Sequence, residues 1–157
     1  MSVDLAPECE RFSGLIGRWS GRGSGDFPTI EPFEYLEEVT FSHMGRPFVV
    51  YAQKTRRAGT GEPLHTEVGY LRPVGEHGVE MLITQPTGIS EIHTGTIGDG
   101  VMDLRSVGVC ATPTAKQVDE VTRRFVLEGD SLGYEMHMAA VGQPLQFHLR
   151  AQLKRMD

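Results

Sequence analysis

Short runs of alternating apolar and polar residues follow one another along most of the chain, and each ends in turn-forming residues. Val79, Met81 and Ile83 form one such apolar face, and Gly98-Asp99-Gly100 is a tight-hairpin signal. Alternation with a period of two is typical of β-strands that bury one face. About ten such runs, joined by short connections without crossover helices, predict an antiparallel meander.

The ends of such a sheet constrain its shape further. An open sheet of about ten strands would expose two long edges, and closure into an up-and-down barrel removes both. A barrel of this size can enclose one small ligand. Before the first strand, Leu5, Cys9, Phe12 and Ile16 have near-helical spacing, with Pro7 tolerable in a first turn. We therefore predict an all-β, ten-stranded antiparallel up-and-down barrel with a short N-terminal helix that caps it.

Composition limits the function classes. The chain has 157 residues and a formal net charge of -6, which predicts one domain over residues 1–157 and argues against a nucleic-acid partner. No run approaches the roughly 20 apolar residues of a membrane span. The N-terminus lacks the basic head and apolar run of a signal peptide, so a cytoplasmic location is expected. Cys9 and Cys110 match no metal or haem-attachment spacing, so both are predicted to be reduced packing residues and any haem to be held non-covalently.

The glycine-rich segment at residues 17–23 (GRWSGRG) has no phosphate-loop ending and no strand-to-helix setting. Its residues favour a first strand in which Gly17, Gly21 and Gly23 allow close backbone approach. Trp19, the only tryptophan, is then expected to plug one end of the barrel.

The same segment matches the GxWxGxG signature of the nitrobindin family, and further matches follow in order along the chain. They are FPTI at 27–30, FEYLEE at 33–38, GRPF at 45–48, PLHTE at 63–67, GYLR at 69–72, TGISEI at 87–92 and PLQFHL at 144–149. Because this ordered set spans nearly the whole chain, the protein resembles that family far more specifically than any single motif would show.

The resemblance implies a ten-stranded barrel similar in shape to fatty-acid-binding proteins and lipocalins. It also implies one non-covalent haem b per chain, normally ferric, that binds nitric oxide and isomerises peroxynitrite to nitrate. The expected ligands are thus peroxynitrite and nitric oxide, with no nucleic acid and no membrane, and a homo-oligomer is compatible with this class.

His148 matches the family's proximal iron ligand, although strand parity alone places it elsewhere. In a regular last strand, with Phe147 and Leu149 facing inward, His148 would face solvent. Two alternatives would reverse this: the regular pleat begins only after His148, or a bulge turns its side chain. The resemblance implies that His148 is the axial ligand and, through the iron, the catalytic residue.

Other site residues follow from the same resemblance. Thr29 matches a haem contact, His65 and Met138 match pocket-lining positions, and Lys116 is a candidate partner for a haem propionate. Leu64 stands where many relatives carry Met. The remaining histidines match no ligand position and are expected to be surface or strand residues: His43, His77, His93 and His137.

Two other functions remain open from the residues. In the first, the barrel is a non-enzymatic carrier of a fatty acid or other apolar molecule, and Arg123 or Arg124 with Tyr134 binds its carboxylate. In the second, side chains fill the barrel and it serves only as an interaction module. No triad, carboxylate dyad or zinc spacing suggests another enzyme.

Overall fold

A computed structural model describes residues 2–156. A 3₁₀ helix, Pro7–Leu15, precedes ten strands. The strands are β1 Gly17–Phe27, β2 Ile30–Ser42, β3 Val49–Arg57, β4 Pro63–Val74, β5 Gly78–Thr84, β6 Ile89–Gly98, β7 Val101–Ala111, β8 Val118–Glu128, β9 Ser131–Ala140 and β10 Gln143–Met156.

Each strand pairs antiparallel with its neighbours in sequence, and β1 also pairs with β10, so the sheet closes into a barrel. The predicted all-β barrel with ten strands and a short N-terminal helix is confirmed. The hairpin predicted at residues 98–100 is present, and Asp99 and Gly100 both have positive φ, as such tight turns require.

One end of the barrel, here called the plugged end, is covered by the N-terminal helix. The helix buries Cys9, Phe12 and Leu15. Its Arg11 donates hydrogen bonds to backbone carbonyls of the β4–β5 connection, and Arg155 of β10 donates to the carbonyls of Gly14 and Ile16. The predicted capping role of this segment is confirmed, and the opposite end, here called the open end, lacks such a cover within the described residues.

The first strand completes the plug. Trp19 is fully buried, donates its indole N–H to the carbonyl of Leu15 at 2.9 Å, and lies under the Arg155 guanidinium at 4.3 Å. A Cβ at Gly21 would overlap the carbonyl of Gln152 on β10. The glycines of the GxWxGxG segment therefore let β1 approach β10 closely while Trp19 fills the plugged end, as the residue pattern predicts.

The strand faces follow parity, with instructive exceptions. On β2 a charged residue takes an inner position and its apolar neighbour an outer one, because Glu37 is buried and Leu36 is partly exposed. On β4 the pattern is inverted, since Val68 and Tyr70 face solvent and Glu67 is buried. Apolar alternation alone would assign the wrong inner face to β4, so long-range pairing must decide it.

The cysteine prediction is half right. Both cysteines are free; Cys9 is buried, whereas Cys110 is exposed near the end of β7 and is not a packing residue. Separately, no helix among residues 2–156 has the length and apolar character needed to cross a membrane.

Candidate functional site

The predicted site residues come from separate parts of the chain, yet the meander brings them to the open end. Thr29 lies in the β1–β2 turn and Lys116 in the β7–β8 loop. His65 and His148 lie near the starts of β4 and β10, and Met138 lies near the end of β9. In an up-and-down barrel these positions share one end, so the topology places all five around one mouth.

A bulge in β10 resolves the parity conflict at His148. Phe147 pairs with His137 on β9 and Leu149 pairs with Met136, so His148 is the extra residue between two successive pairs. Below the bulge, Leu149 packs against the core and Ala151 is buried. Of the two alternatives left open by the sequence, the structure shows the bulge, a device that turns side chains at barrel rims.

The bulge also changes the position of Phe147, which had been predicted to share the inner face with Leu149. Its ring packs edge-on against half-exposed His137 and lies 4.9 Å from the guanidinium of exposed Arg150. The inner face of β10 therefore begins at Leu149, and the prediction for Phe147 is wrong because the extra residue shifts the parity.

The His148 imidazole is half-buried and held from two sides. Its Nδ1 lies 3.2 Å from the backbone carbonyl of Asp26, and Phe27 contacts the ring edge-on at a centroid distance of 5.4 Å. Because a carbonyl oxygen can only accept, Nδ1 carries the proton and the neutral ring keeps its lone pair on Nε2. A hydrogen bond of this kind is what orients histidine metal ligands in proteins.

Electrostatics agree with a neutral ring. Burial lowers the pKa of His148, the Asp26 carbonyl opposes that shift, and the positive charge of Arg123 lowers it further. Arg123 lies inside the barrel, so this coupling joins His148 to the interior. A deprotonated Nε2 is the form that can bind a metal ion.

An apolar rim surrounds the open end below the loops. Its members are hydrophobic side chains that pack against the core and yet are only partly buried, and each comes from a different strand: Phe33, Leu64, Val118, Met138 and Leu149. Incomplete burial at a mouth provides apolar surface that a flat, apolar ligand can cover.

A second bulge shapes the β4 side of this rim. Thr55 pairs with His65 and Arg56 pairs with Pro63, so Leu64 is an extra residue in β4. Leu64 and His65 are both half-buried. The two positions predicted to line the pocket at His65 and Met138 therefore lie at the mouth, whereas Thr29 and Lys116 are exposed on loops above it.

The wall of the barrel is incomplete between β7 and β8. Their backbone ladder ends at Arg105 and Thr122, and the Ser106 hydroxyl then accepts the N–H of Val121 at 2.9 Å. Beyond that point the two strands diverge toward the loop that carries Lys116. The sheet is thus less regularly paired on this side of the mouth.

A buried ionic cluster forms the floor beneath the mouth. Arg123 binds Glu67 through Nη1 at 2.6 Å and Glu91 through Nη2 at 3.1 Å, and its Nη1 also donates to the Tyr134 hydroxyl at 3.0 Å. His93, which is fully buried, donates through Nε2 to Glu91 at 2.7 Å. These contacts cross the barrel and separate the mouth from the apolar plug.

His65 connects this floor to the rim. Its Nε2 donates to Glu67 at 3.3 Å, and the Tyr51 hydroxyl donates to the same carboxylate at 2.8 Å. Burial raises the pKa of Glu67, but Arg123 and His65 outweigh it and hold the pKa below its usual value. For Glu91 burial also acts upward, while Arg123 and His93 lower the pKa. Both carboxylates are therefore ionised at neutral pH.

The cluster is what sequence reasoning missed. Arg123 shares strand parity with Val121 and Phe125, and that signal places it inside the barrel, but its two carboxylate partners lie 56 and 32 residues away in sequence. His93 had been expected to be a surface or strand residue, and it is a strand residue with no exposure. The motif residues Gly17, Trp19, Gly21 and Gly23 belong to the plugged end and the wall and do not line the mouth.

The donor set at the mouth fits haem better than a bare metal ion. Within residues 2–156 no group of three or more His, Cys, Asp or Glu side chains is placed to hold a metal ion. A single oriented imidazole is sufficient for haem, because the porphyrin supplies the equatorial ligands itself. The apolar rim suits the macrocycle.

Comparison with known proteins gives consistent results. Residues 8–155 match the family described as "THAP4-like, heme-binding beta-barrel domain". The chain is 51% identical over 159 residues to peroxynitrite isomerase 2 of Mycobacterium marinum, covering 99% of each protein. It is 48% identical over 164 residues to peroxynitrite isomerase 1 of Mycobacterium tuberculosis, again covering 99% of each.

Among solved structures, the barrel resembles the crystal structure of Rv2717c from M. tuberculosis with a TM-score of 0.93 and 46% identity, covering 98% of this chain and all of that one. The family match extends over nearly the whole chain, and the fold agrees throughout. The chain therefore belongs to the nitrobindin family of THAP4-like, haem-binding β-barrels.

Proposed function

We propose that the protein binds one haem b non-covalently at the open end through His148, binds nitric oxide there and isomerises peroxynitrite to nitrate. The observation that carries this proposal is the His148 bulge, which places a neutral imidazole whose Nδ1 is bound to the Asp26 carbonyl and whose Nε2 has no hydrogen-bond partner among residues 2–156. The relatives named peroxynitrite isomerase support the reaction. The cytoplasmic location inferred from the N-terminus stays a prediction.

Bound haem would supply a Lewis-acidic iron that can bind a small ligand. The protein's own contribution would be to hold the haem and to enclose it. His148 would hold the haem iron through its Nε2, and Phe27 and the Asp26 carbonyl fix the plane of its ring. Met138, Leu149 and the rest of the apolar rim would pack against the porphyrin and exclude water.

The polar residues at the mouth have separate tasks in this proposal. His65, oriented by Glu67, offers a hydrogen-bonding group beside the apolar rim. Thr29 and Lys116 lie on two exposed loops, where Thr29 would contact the haem and Lys116 would pair with a haem propionate. No acid–base pair is needed for an isomerisation that neither gains nor loses a proton, so orientation and confinement are the protein's main contributions.

Haem reconstitution tests the ligand assignment. Wild-type protein titrated with haemin should develop a Soret band at one equivalent, and His148→Ala should lower haem affinity by about 100-fold. His137→Ala is the matched control, because His137 lies across from the bulge on β9 but is half-exposed and packs against Phe147. If His148→Ala binds haem as tightly as His137→Ala, another residue must be the ligand.

Peroxynitrite decay tests the reaction separately. In stopped-flow measurements, haem-loaded wild-type protein should accelerate decay above an equal concentration of free haemin and raise the nitrate-to-nitrite ratio of the products. Imidazole added to haem-loaded His148→Ala should restore part of the rate if the axial ligand matters through its chemistry. Haem binding without acceleration would leave a haem carrier and refute the enzyme proposal.

The carrier alternative is disfavoured by the floor of the pocket. Arg123 does point inward and contact Tyr134, as a carboxylate-binding site would need, but its guanidinium is already bound to Glu67 and Glu91. Arg124 faces outward and pairs with Asp103. A fatty-acid carboxylate would therefore meet a cluster with no spare positive charge.

A further inference from the structure

A second buried carboxyl group lies in the floor and takes no part in the ionic cluster. Glu37 on β2 is 3% exposed and Gln53 on β3 is 6% exposed, and the Gln53 amide donates to Glu37 Oε1 at 3.2 Å. Glu37 Oε2 and Gln53 Oε1 are both buried and have no hydrogen-bond partner among residues 2–156. Two acceptor oxygens are thus left without a donor in adjacent side chains.

A proton would resolve both deficits. An ionised carboxylate and an amide oxygen can only accept, so a charged Glu37 leaves its buried Oε2 and that of Gln53 uncompensated. Buried unpaired groups of this kind are costly, and an unpaired charge is more so. A neutral carboxylic acid carries no charge and gains an O–H donor, which Gln53 Oε1 can accept.

The surroundings favour the neutral form. The ionisable groups coupled to Glu37 come from five strands, including its own strand β2, and β1 contributes only Gly21 beside it. Those groups are Tyr35, Tyr51, Glu67, Arg123 and Tyr134. Burial is the largest cause that raises the pKa of Glu37, Glu67 adds to it, the Gln53 hydrogen bond and Arg123 oppose it, and the result is about 7.

We propose that Glu37 and Gln53 form a proton-binding acid–amide site in the floor of the pocket, and that the proton held there controls how readily the pocket admits an anion. The control of anion binding rests on the haem function proposed above; the protonation of Glu37 does not. The proton comes from solvent, and no bond other than O–H forms or breaks.

The charges in the floor explain why protonation of Glu37 would affect anion binding. Arg123 carries one positive charge and binds two ionised carboxylates, so its own charge balances only one of them. Ionisation of Glu37 would add a further negative charge in a region where charges interact strongly. A bound anion such as peroxynitrite would then be repelled, whereas nitric oxide, which is uncharged, would not.

Infrared spectroscopy of the full chain without added haem tests the protonation. Wild-type protein at pH 6 should show a carboxylic acid C=O band that is absent from Glu37→Gln and that disappears from wild type as the pH rises to 8.5. Glu38→Gln is the matched control, because Glu38 is the next residue, faces outward and pairs with Lys54. No such band, or a band that survives in Glu37→Gln, would overturn the proposal.

A second measurement keeps the test valid if Glu37→Gln does not fold. In wild-type protein labelled with ¹³C at the glutamate carboxyls, one resonance should titrate near neutrality. Completion of every glutamate titration below pH 6 would contradict the proposal. Neither experiment depends on haem, so failure of the haem proposal would leave these results interpretable.

Azide binding to the haem-loaded ferric protein tests the control of anion binding. At pH 6 wild type and Glu37→Gln should bind azide alike, and at pH 8.5 wild type should bind roughly threefold more weakly or worse than the variant. Glu38→Gln should follow wild type, and a constant ratio between wild type and Glu37→Gln would refute the proposed control.

Discussion

The same ten strands form a filled end and an open end of this barrel. At the plugged end the strands pair in regular register, and the N-terminal helix and Trp19 fill the opening. At the open end bulges at Leu64 and His148, and divergence of β7 from β8, interrupt the ladders. The apolar side chains of the rim there are only partly buried.

The comparison shows that the plugged end stabilises the fold and that the open end is less stable locally. Regular pairing and complete burial at the plugged end are the features that stabilise a β-barrel. Bulges and half-exposed apolar surface are unfavourable locally, and they persist at rims where side chains must be aimed at a ligand. The ionic floor around Arg123 lies between the plugged end and the open end.

Removing the Arg123 charge from the floor should have the largest effect on stability. Arg123→Met leaves Glu67 and Glu91 buried without their cation and should lower the free energy of unfolding by about 4 kcal/mol. The loss should shrink at low pH, where the two carboxylates can be protonated. Arg124→Met, the exposed neighbour, should cost less than about 1 kcal/mol in the same urea titration. Equal losses would show that the floor does not stabilise the barrel.

Emptying the plugged end should weaken the fold and spare the ligand. Trp19→Ala removes a fully buried indole and should lower the free energy of unfolding by about 3 kcal/mol. Haem affinity, measured by Soret titration under conditions where the variant is folded, should stay within about twofold of wild type. A large loss of haem affinity would mean that the two ends are coupled.

Crowding the wall of the plugged half should cost less. Gly21→Ala places a methyl group against the Gln152 carbonyl, so β1 and β10 must separate, at about 2 kcal/mol in thermal or urea unfolding. Gly98→Ala is the matched control, since a Cβ there meets no atom within 4 Å. Similar stabilities for the two variants would show that close β1–β10 approach is not what selects glycine.

Shortening a side chain at the open end should have the opposite effect to the Trp19 variant, with a small loss of stability and a clear loss of haem affinity. Met138 is half-buried at the rim, so Met138→Ala should lower the free energy of unfolding of the haem-free protein by only about 1 kcal/mol. It should nevertheless weaken haem binding several-fold, because the side chain would cover the porphyrin. A variant that loses stability but keeps full haem affinity would place Met138 in the core instead.

Much of this arrangement could be predicted because it depends on local periodicity. Alternating runs and turn residues specify strand after strand, and closure follows from the cost of exposed edges. Parity also places Arg123 beside Val121 and Phe125 on an inner face, and the meander brings Thr29, His65 and His148 to one end. The identity of His148 as a candidate ligand came from the family resemblance, since parity alone pointed to solvent.

The sequence by itself determined the number and order of the strands, their turns, the capping helix and the family. Only the tertiary structure decided which way His148 turns and which charges meet around Arg123. The reason is that a bulge exists only relative to the strand paired with it, and the partners in the floor are far apart in sequence. Register and cross-barrel contacts are properties of the closed sheet, and no local stretch of sequence contains them.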